Sequence, residues 1–201
     1  MAAGAAGGLT GLIREALAAE ARPRQQGFIT IRGEVAVNGA PAAVGTPIKR
    51  GDTVTTGAGA YAVYVLGDDA FMQRANGRAV FGDISVATFL RVVTGGLLSV
   101  FGKGRRQLAT TTATIGIRGT GCYIETDATR SYFCLCFGAV DLQPQDGKPV
   151  SYSTTQHEKP LWIENGATTP AAVINHTDAE VIMLEALVGR GSPFPAFRSK
   201  Y

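Results

Sequence analysis

This sequence predicts an all-β fold: an antiparallel sandwich or roll of many short strands, closed by one C-terminal α-helix. Three observations carry that expectation. From Phe28 onward, apolar and polar residues alternate with a period of two, the pattern of a pleated, half-buried strand. Turn dipeptides interrupt the alternation at short intervals, with Asn38-Gly39, Asn76-Gly77 and Gly-Asp pairs beginning at 51, 67 and 82. The 26 glycines, scattered among valine and threonine, suit a chain that reverses direction often.

The bulk numbers agree with a folded domain. A 201-residue chain that is 45% hydrophobic and 17% charged can bury a full core, and it is not the composition of a disordered segment. The net charge of +3 is small and its basic residues are dispersed, which argues against a nucleic-acid partner. Lys103, Arg105 and Arg106 in GKGRRQ form the one cluster and read as a solvated loop. No segment reaches the roughly 20 apolar residues of a membrane-spanning helix.

Residues 1–26 differ in kind from the rest. Their alanine- and glycine-rich run, ending in Ala19-Glu20-Ala21, resembles the mild core and cleavage end of an export signal of the twin-arginine type, without its basic leader. The other reading is a tail or surface helix with Leu9, Leu12, Ile13, Ala16 and Leu17 as its apolar stripe.

The β domain is expected over 27–175. Residues 28–31 and 33–37 read as one or two strands, closed by Asn38-Gly39, whose residues tolerate the positive φ of a tight hairpin turn. Further strands are expected at 46–48, 53–55 and 61–66. Residues 70–74 and 78–81 are expected to pair about Asn76-Gly77, and 86–93 and 97–101 to form two strands around Gly95-Gly96. The stretch 109–142 looks central, a strand that breaks or bulges at Gly119 and Gly121 and then a hairpin of 122–126 with 132–137. Late strands are predicted at 150–154, 161–163 and 171–174.

Residues 176–201 should form a helix and a Pro/aromatic tail packed on the sheet. Thr177 and Glu180 make a capping box, Ile182, Met183, Ala186 and Leu187 an apolar stripe, and Gly189 a left-handed stop. Pro193, Phe194, Pro195 and Phe197 follow.

Four pieces in this order, GEVAVNG at 33–39, VGTPIKRGDTVTTG at 44–57, TIGIRGT at 114–120 and FGAV at 137–140, resemble the FecR domain, the envelope-side sensory module of iron-responsive bacterial regulators. The resemblance covers residues 27–142. It implies an all-β domain outside the cytoplasm, periplasmic or exported, that binds a protein partner in the envelope or relays a signal. Such regulators add an anti-sigma segment and a membrane helix in front; these 201 residues show neither, so anti-sigma activity is not carried over.

The three cysteines are no general feature of that family and are argued locally. The pleat of 132–137 puts Cys134 and Cys136 on one face with Tyr132, and Phe133, Leu135 and Phe137 on the other. A four-residue loop at 127–130 would set Cys122 opposite Leu135, away from the pair; a slip of one residue would bring it beside them. Three readings stand. The thiols are small buried hydrophobes; or Cys134 and Cys136, helped by Cys122 and His157, hold zinc or another thiolate-bound metal, at a spacing that matches no standard zinc motif; or Cys122 forms a cross-strand disulfide.

Other chemistry is sparse. Arg118, in an apolar strand, reads as a buried organising residue partnered by Glu125, Asp141 or turn carbonyls. His176 reads as a structural neighbour of the helix cap, Trp162 as core, and Asp52, Asp68 and Asp83 as turn residues rather than calcium ligands. No nucleophile elbow or phosphate loop occurs. The expected function is therefore non-catalytic, an envelope sensory or interaction module without a cofactor. The rivals are a metal- or redox-responsive protein using the Cys-x-Cys hairpin, and a hydrolase whose acid/base residues cluster in a deep cleft.

Overall fold

The structure, a computed structural model, describes residues 8–17, 25–82 and 87–194. Among these residues fourteen strands join in one continuous, mostly antiparallel sheet that rolls around an apolar interior. The first helix, α1 (Leu9–Leu17), precedes β1 (Gly27–Arg32), β2 (Val35–Val37) and β3 (Ala40–Pro41). Asn38 (φ 52°) and Gly39 (φ 82°) both take the left-handed conformation, as the tight turn between β2 and β3 requires. Residues 46–48 form no strand; Thr46 instead accepts the Phe28 amide through its carbonyl and tethers the connection to β1.

Strands β4 (Thr53–Thr56), β5 (Tyr61–Leu66), β6 (Asp69–Gln73) and β7 (Arg78–Phe81) lead into the long β8 (Thr88–Val100). The expected hairpin of β6 with β7 does not form. Both strands run antiparallel to β8, β6 along residues 97–100 and β7 along residues 90–94, so they lie end to end. Asn76-Gly77 is the corner between them. Gly95 (φ 74°) crosses that corner, where a Cβ would stand 2.7 Å from Gly77 Cα. The two expected strands at 86–93 and 97–101 are thus one bent strand, turned at Gly95, with residue 86 outside the described part. Bending lets β6 pair with β5 and β7 with β4, which closes the roll.

The chain then forms β9 (Arg105–Ala109), β10 (Ala113–Thr126), β11 (Arg130–Pro144), β12 (Val150–Thr154), β13 (Leu161–Glu164) and β14 (Ala167–Pro170). Arg105 and Arg106 of the basic cluster lie in a strand, while Lys103 stays in the exposed bend before it. Strand β9 lies between β10 and a parallel segment of β8, and Arg106 turns inward, 3.6 Å from the buried Asp69 carboxylate and 5.3 Å above the Phe89 ring. Arg118 is exposed on the outward side of β10, beside Arg105, so it is not a buried organising residue. Its apolar neighbours Ile115 and Ile117 face the interior, and the period-two pleat sends Arg118 the other way. The last expected strand is displaced: β14 covers 167–170, and residues 171–177 form an irregular strap leading to α2 (Asp178–Leu187).

The central strands are covered on both faces. Along β5, Ala62 and Tyr64 point into the roll, while Val63 and Val65 point outward to a second apolar cluster. That outer cluster is roofed by α2 and its C-cap, whose Val181, Met183, Leu184 and Val188 are fully buried. Burying four such side chains stabilises the docked helix by roughly 6–12 kcal/mol before entropy is counted. The capping box is present: Thr177 Oγ1 accepts the Glu180 amide at 3.3 Å, and Glu180 Oε2 accepts the Thr177 amide at 3.0 Å. Gly189 follows with φ 72°. Leu9, Leu12 and Ile13 of α1 pack against the same outer cluster, as do Phe194 and the half-buried Trp162. The export-signal reading of residues 1–26 falls largely outside the described residues, as do Asp83, Pro195 and Phe197.

Candidate metal centre

A β-bulge in β11 builds the site. Residues 131–135 of β11 pair with 122–126 of β10 in the register of a four-residue loop, with Cys122 opposite Leu135 and Tyr123 opposite Cys134. The register then slips: Gly121 pairs with Phe137, and Cys136 is the extra residue. Such a bulge re-aims side chains. It keeps Cys136 on the outer face beside Cys134 and turns Phe137 to that face as well, which corrects its expected placement with Phe133 and Leu135. Gly121 is obligatory here, since a Cβ would meet Phe137 Cε1 at 2.4 Å. Gly119 takes φ 57° at a second irregularity.

Cys122 lies in the inner core with Phe133 and Leu135, across the sheet from the pair. It is therefore not a ligand with them, nor a disulfide partner; all three cysteines are free. Its place is taken by His176. The side-chain donors of Cys134, Cys136, His157 and His176 all lie within 4.8 Å of one another.

Each histidine is delivered by backbone. Cys136 O, turned out by the bulge, accepts the His157 amide at 3.1 Å, and His157 itself sits at φ 47°. His176 precedes the helix cap, and its ring stacks on Tyr123 at 4.8 Å with 19° between planes.

The outer partners set the tautomers. His176 Nδ1 is 2.6 Å from Ile174 O, and a carbonyl only accepts, so Nδ1 carries the proton. His157 Nε2 lies 2.9 Å from Asp178 Oδ1, an ion-pair contact set off the N–H axis, and the nearby negative charge favours a proton on that nitrogen. Gln156 Nε2 donates to the other oxygen of Asp178 at 2.6 Å. The two remaining ring nitrogens, His157 Nδ1 and His176 Nε2, then face each other 3.0 Å apart, with Cys134 Sγ 3.5 Å from His157 Nδ1. With both protons on the outer nitrogens, two lone pairs face each other at that distance and repel unless a positive centre lies between them; a proton on either inner nitrogen makes the contact a hydrogen bond. The thiols are polarised in the same sense. A hydrogen bond from Cys136 is the chief cause that holds the Cys134 thiol far below its ordinary range, against the effect of burial. Burial, and donation to Cys134, push Cys136 up. Burial alone would lower His157, but the Cys134 sulfur and Asp178 outweigh it and raise it.

The two shortest separations, 3.0 Å for N–N and 3.5 Å for S–N, approach the edges of a tetrahedral ion, and gathering all four donors, which lie within 4.8 Å, asks for a contraction of up to about 1 Å. With metal–sulfur bonds of about 2.3 Å and metal–nitrogen bonds of about 2.0–2.1 Å, the edges are about 3.3 Å for N–N, 3.6 Å for S–N and 3.8 Å for S–S. Each histidine presents its other nitrogen to a carboxylate or carbonyl, the usual support for a ligating imidazole. Sequence reasoning missed His176 because adjacency to the cap explained it locally. The available signal was that the chain has only two histidines, both in polar segments.

Comparison with known proteins adds little to this. No family model matches the chain, and no curated protein does. Two crystal structures, at 1.65 and 2.50 Å, of a “putative anti-sigma factor” from Parabacteroides distasonis are similar in part. Each has a TM-score of 0.49 at 10% identity, over 59% of this chain and 58% of that one. The all-β fold itself stands on the coordinates. No described helix is long and apolar enough to cross a membrane.

Proposed function

We propose that this chain is a non-catalytic, zinc-binding β-roll, with Cys134, Cys136, His157 and His176 as ligands. One observation carries the reading: two imidazoles with outward-held protons and two sulfurs converge on a point that needs a positive charge. A proton could bridge the two histidines as an imidazolium beside the Cys134 thiolate, but it would engage one pair of atoms. A tetrahedral ion engages all four, and mixed sulfur and imidazole ligands suit Zn²⁺. Four protein ligands leave no open position for substrate. Cys134, His157 and Asp178 also stand in the order of a thiol nucleophile, base and orienting acid, yet Cys134 is 0% exposed and Phe194 packs 5.5 Å from the His157 ring. Burial on that scale favours a structural or sensory centre over a hydrolase.

The test is metal content by mass spectrometry of protein purified without chelator, with cobalt substitution as a second readout. One equivalent of metal and intense thiolate-to-cobalt bands are expected. Cys134→Ser should abolish both, and Cys122→Ser should leave both intact. Metal-free protein that fails to take up zinc or cobalt sinks the reading.

The finer role we infer is that of an envelope sensory or protein-interaction module, exported or periplasmic, resembling the FecR domain. The ordered motifs at 33–39, 44–57, 114–120 and 137–140 and the all-β architecture support it. Affinity capture from native envelopes, with N-terminal sequencing of the native protein, tests it. A cytoplasmic location with an intact first residue would overturn it.

A further inference from the structure

We infer that metal occupancy pins two polar surface segments, residues 155–159 and 171–177, to the sheet, and so assembles one wall of a groove beside α2. The inference rests on the zinc reading above and concerns what that ion controls.

Each segment turns its histidine inward. Residues 155–159 are otherwise tied to β12, where Thr154 Oγ1 accepts the Glu158 amide at 3.2 Å and Tyr152 Oη donates to Lys159 O at 3.0 Å, and to Asp178 through Gln156. In 155–159 the neighbours of His157 are all exposed, while its own side chain is 9% exposed. In 171–177 His176 is the one buried residue, and Val173 stands 45% exposed; Ala171 and Ile174 are partly covered. The remaining ties of the strap are polar: Ala171 N to Pro160 O, Tyr132 Oη between Ala172 O and Ile174 N, Asn175 to Glu125 and Arg74, and Thr177 to Glu180. A polar strap with so little apolar contact opens readily. With no ion, the facing lone pairs and buried thiols gain by letting the histidines swing out, and the segments follow. The body of α2 has no such dependence, because the fully buried Val181, Met183 and Leu184, with Val188 at its C-cap, hold it.

The strap also builds a groove of about 640 Å³ on the other side of His176. Tyr61, Arg74, Tyr123, Glu125, Asn175 and Glu180 line it. Asn175 Nδ2 donates to Glu125 at 2.8 Å, and Arg74 donates to Asn175 O at 2.8 Å and to Glu180 at 2.8 Å. Asn175 and Thr177 flank the ligand His176 directly, so the ion that fixes the histidine also fixes this wall. The groove is complete in the metal-loaded state and loses that wall in the metal-free one.

Hydrogen exchange on the full chain, zinc-loaded against chelator-treated, tests this. Peptides covering 155–159 and 171–177 should exchange at least about tenfold faster without zinc, while strand residues 61–66 and 97–100 keep their protection. His176→Gln should behave like the chelated protein and show no slowing on zinc addition, its strand peptides reporting that it is folded. Zinc bound with exchange unchanged in both segments overturns this inference and leaves the zinc site standing. Loss of protection throughout the roll on chelation also overturns it. Failure to bind zinc at all removes both.

Discussion

Asp178 offers a demanding test because it touches no part of the proposed ion and should still control it. Its Oδ1 stands 2.9 Å from His157 Nε2, and its Oδ2 accepts from Gln156. Asp178→Asn keeps the size and removes the charge that keeps the His157 proton on Nε2. Loss of such an outer partner weakens metal affinity by about 10–100-fold, equivalent to about 1.4–2.7 kcal/mol. The substitution also removes an acidic residue from the first turn of α2, which costs about 0.3–1 kcal/mol of helix stability whether or not metal is present. The two effects separate cleanly. Zinc affinity is read by competition with a chromophoric chelator, and stability by urea unfolding in excess chelator. Glu158→Gln, an exposed change one residue from His157, is the control and should leave affinity unaltered. An Asp178→Asn protein that binds zinc within twofold of the parent would refute the argument that the carboxylate orients His157 as a ligand.

Other expectations follow from the same coordinates. Gly121→Ala forces a Cβ against the Phe137 ring, which should destabilise the fold by about 1–3 kcal/mol and weaken zinc binding by shifting the Cys136 bulge; wild-type urea midpoint and affinity would contradict this. Thr177→Ala removes the acceptor of the Glu180 amide and should cost about 1 kcal/mol in chemical denaturation, while Thr177→Ser recovers most of it. Burial raises the folded-state pKa of Asp69 above its unfolded value, in spite of the Gly102 amide and Arg106. The folded state therefore binds the proton more tightly, and the contribution of Asp69 to stability, full below about pH 3.9, falls as pH rises through its folded pKa. Asp69→Asn should gain on the parent as pH rises from 4 to 7 in urea titrations; a gap that shrinks would show that Arg106 dominates instead.

Much of the architecture was legible because it depends on local periodicity. Alternation along 61–66 alone places Ala62 and Tyr64 on one face and Val63 and Val65 on the other, and β5 occupies those six residues. The Asn38-Gly39 turn, the capping box and the Cys122–Leu135 register under a four-residue loop are likewise short-range chemistry. Errors fell where the partner of a strand, rather than its existence, was at issue. Asn76-Gly77 has the residues of a hairpin turn, but the long β8 offered both flanking strands a partner, so the dipeptide serves as a corner. Arg118 was misplaced because burial of a strand face depends on what covers it, and α2 roofs only part of the roll.

By itself, the order of residues determined an all-β chain with a capped C-terminal helix and two thiols side by side on one strand face, since those features need nothing beyond a few neighbours. Only the tertiary structure decided what stands opposite the thiols. His157 and His176 reach them from a loop and a strap 23 and 42 residues after Cys134, and Cys136 on its bulge offers the carbonyl that draws the first of them in. No local pattern encodes that meeting, because it is set by how the sheet rolls and where α2 comes to rest.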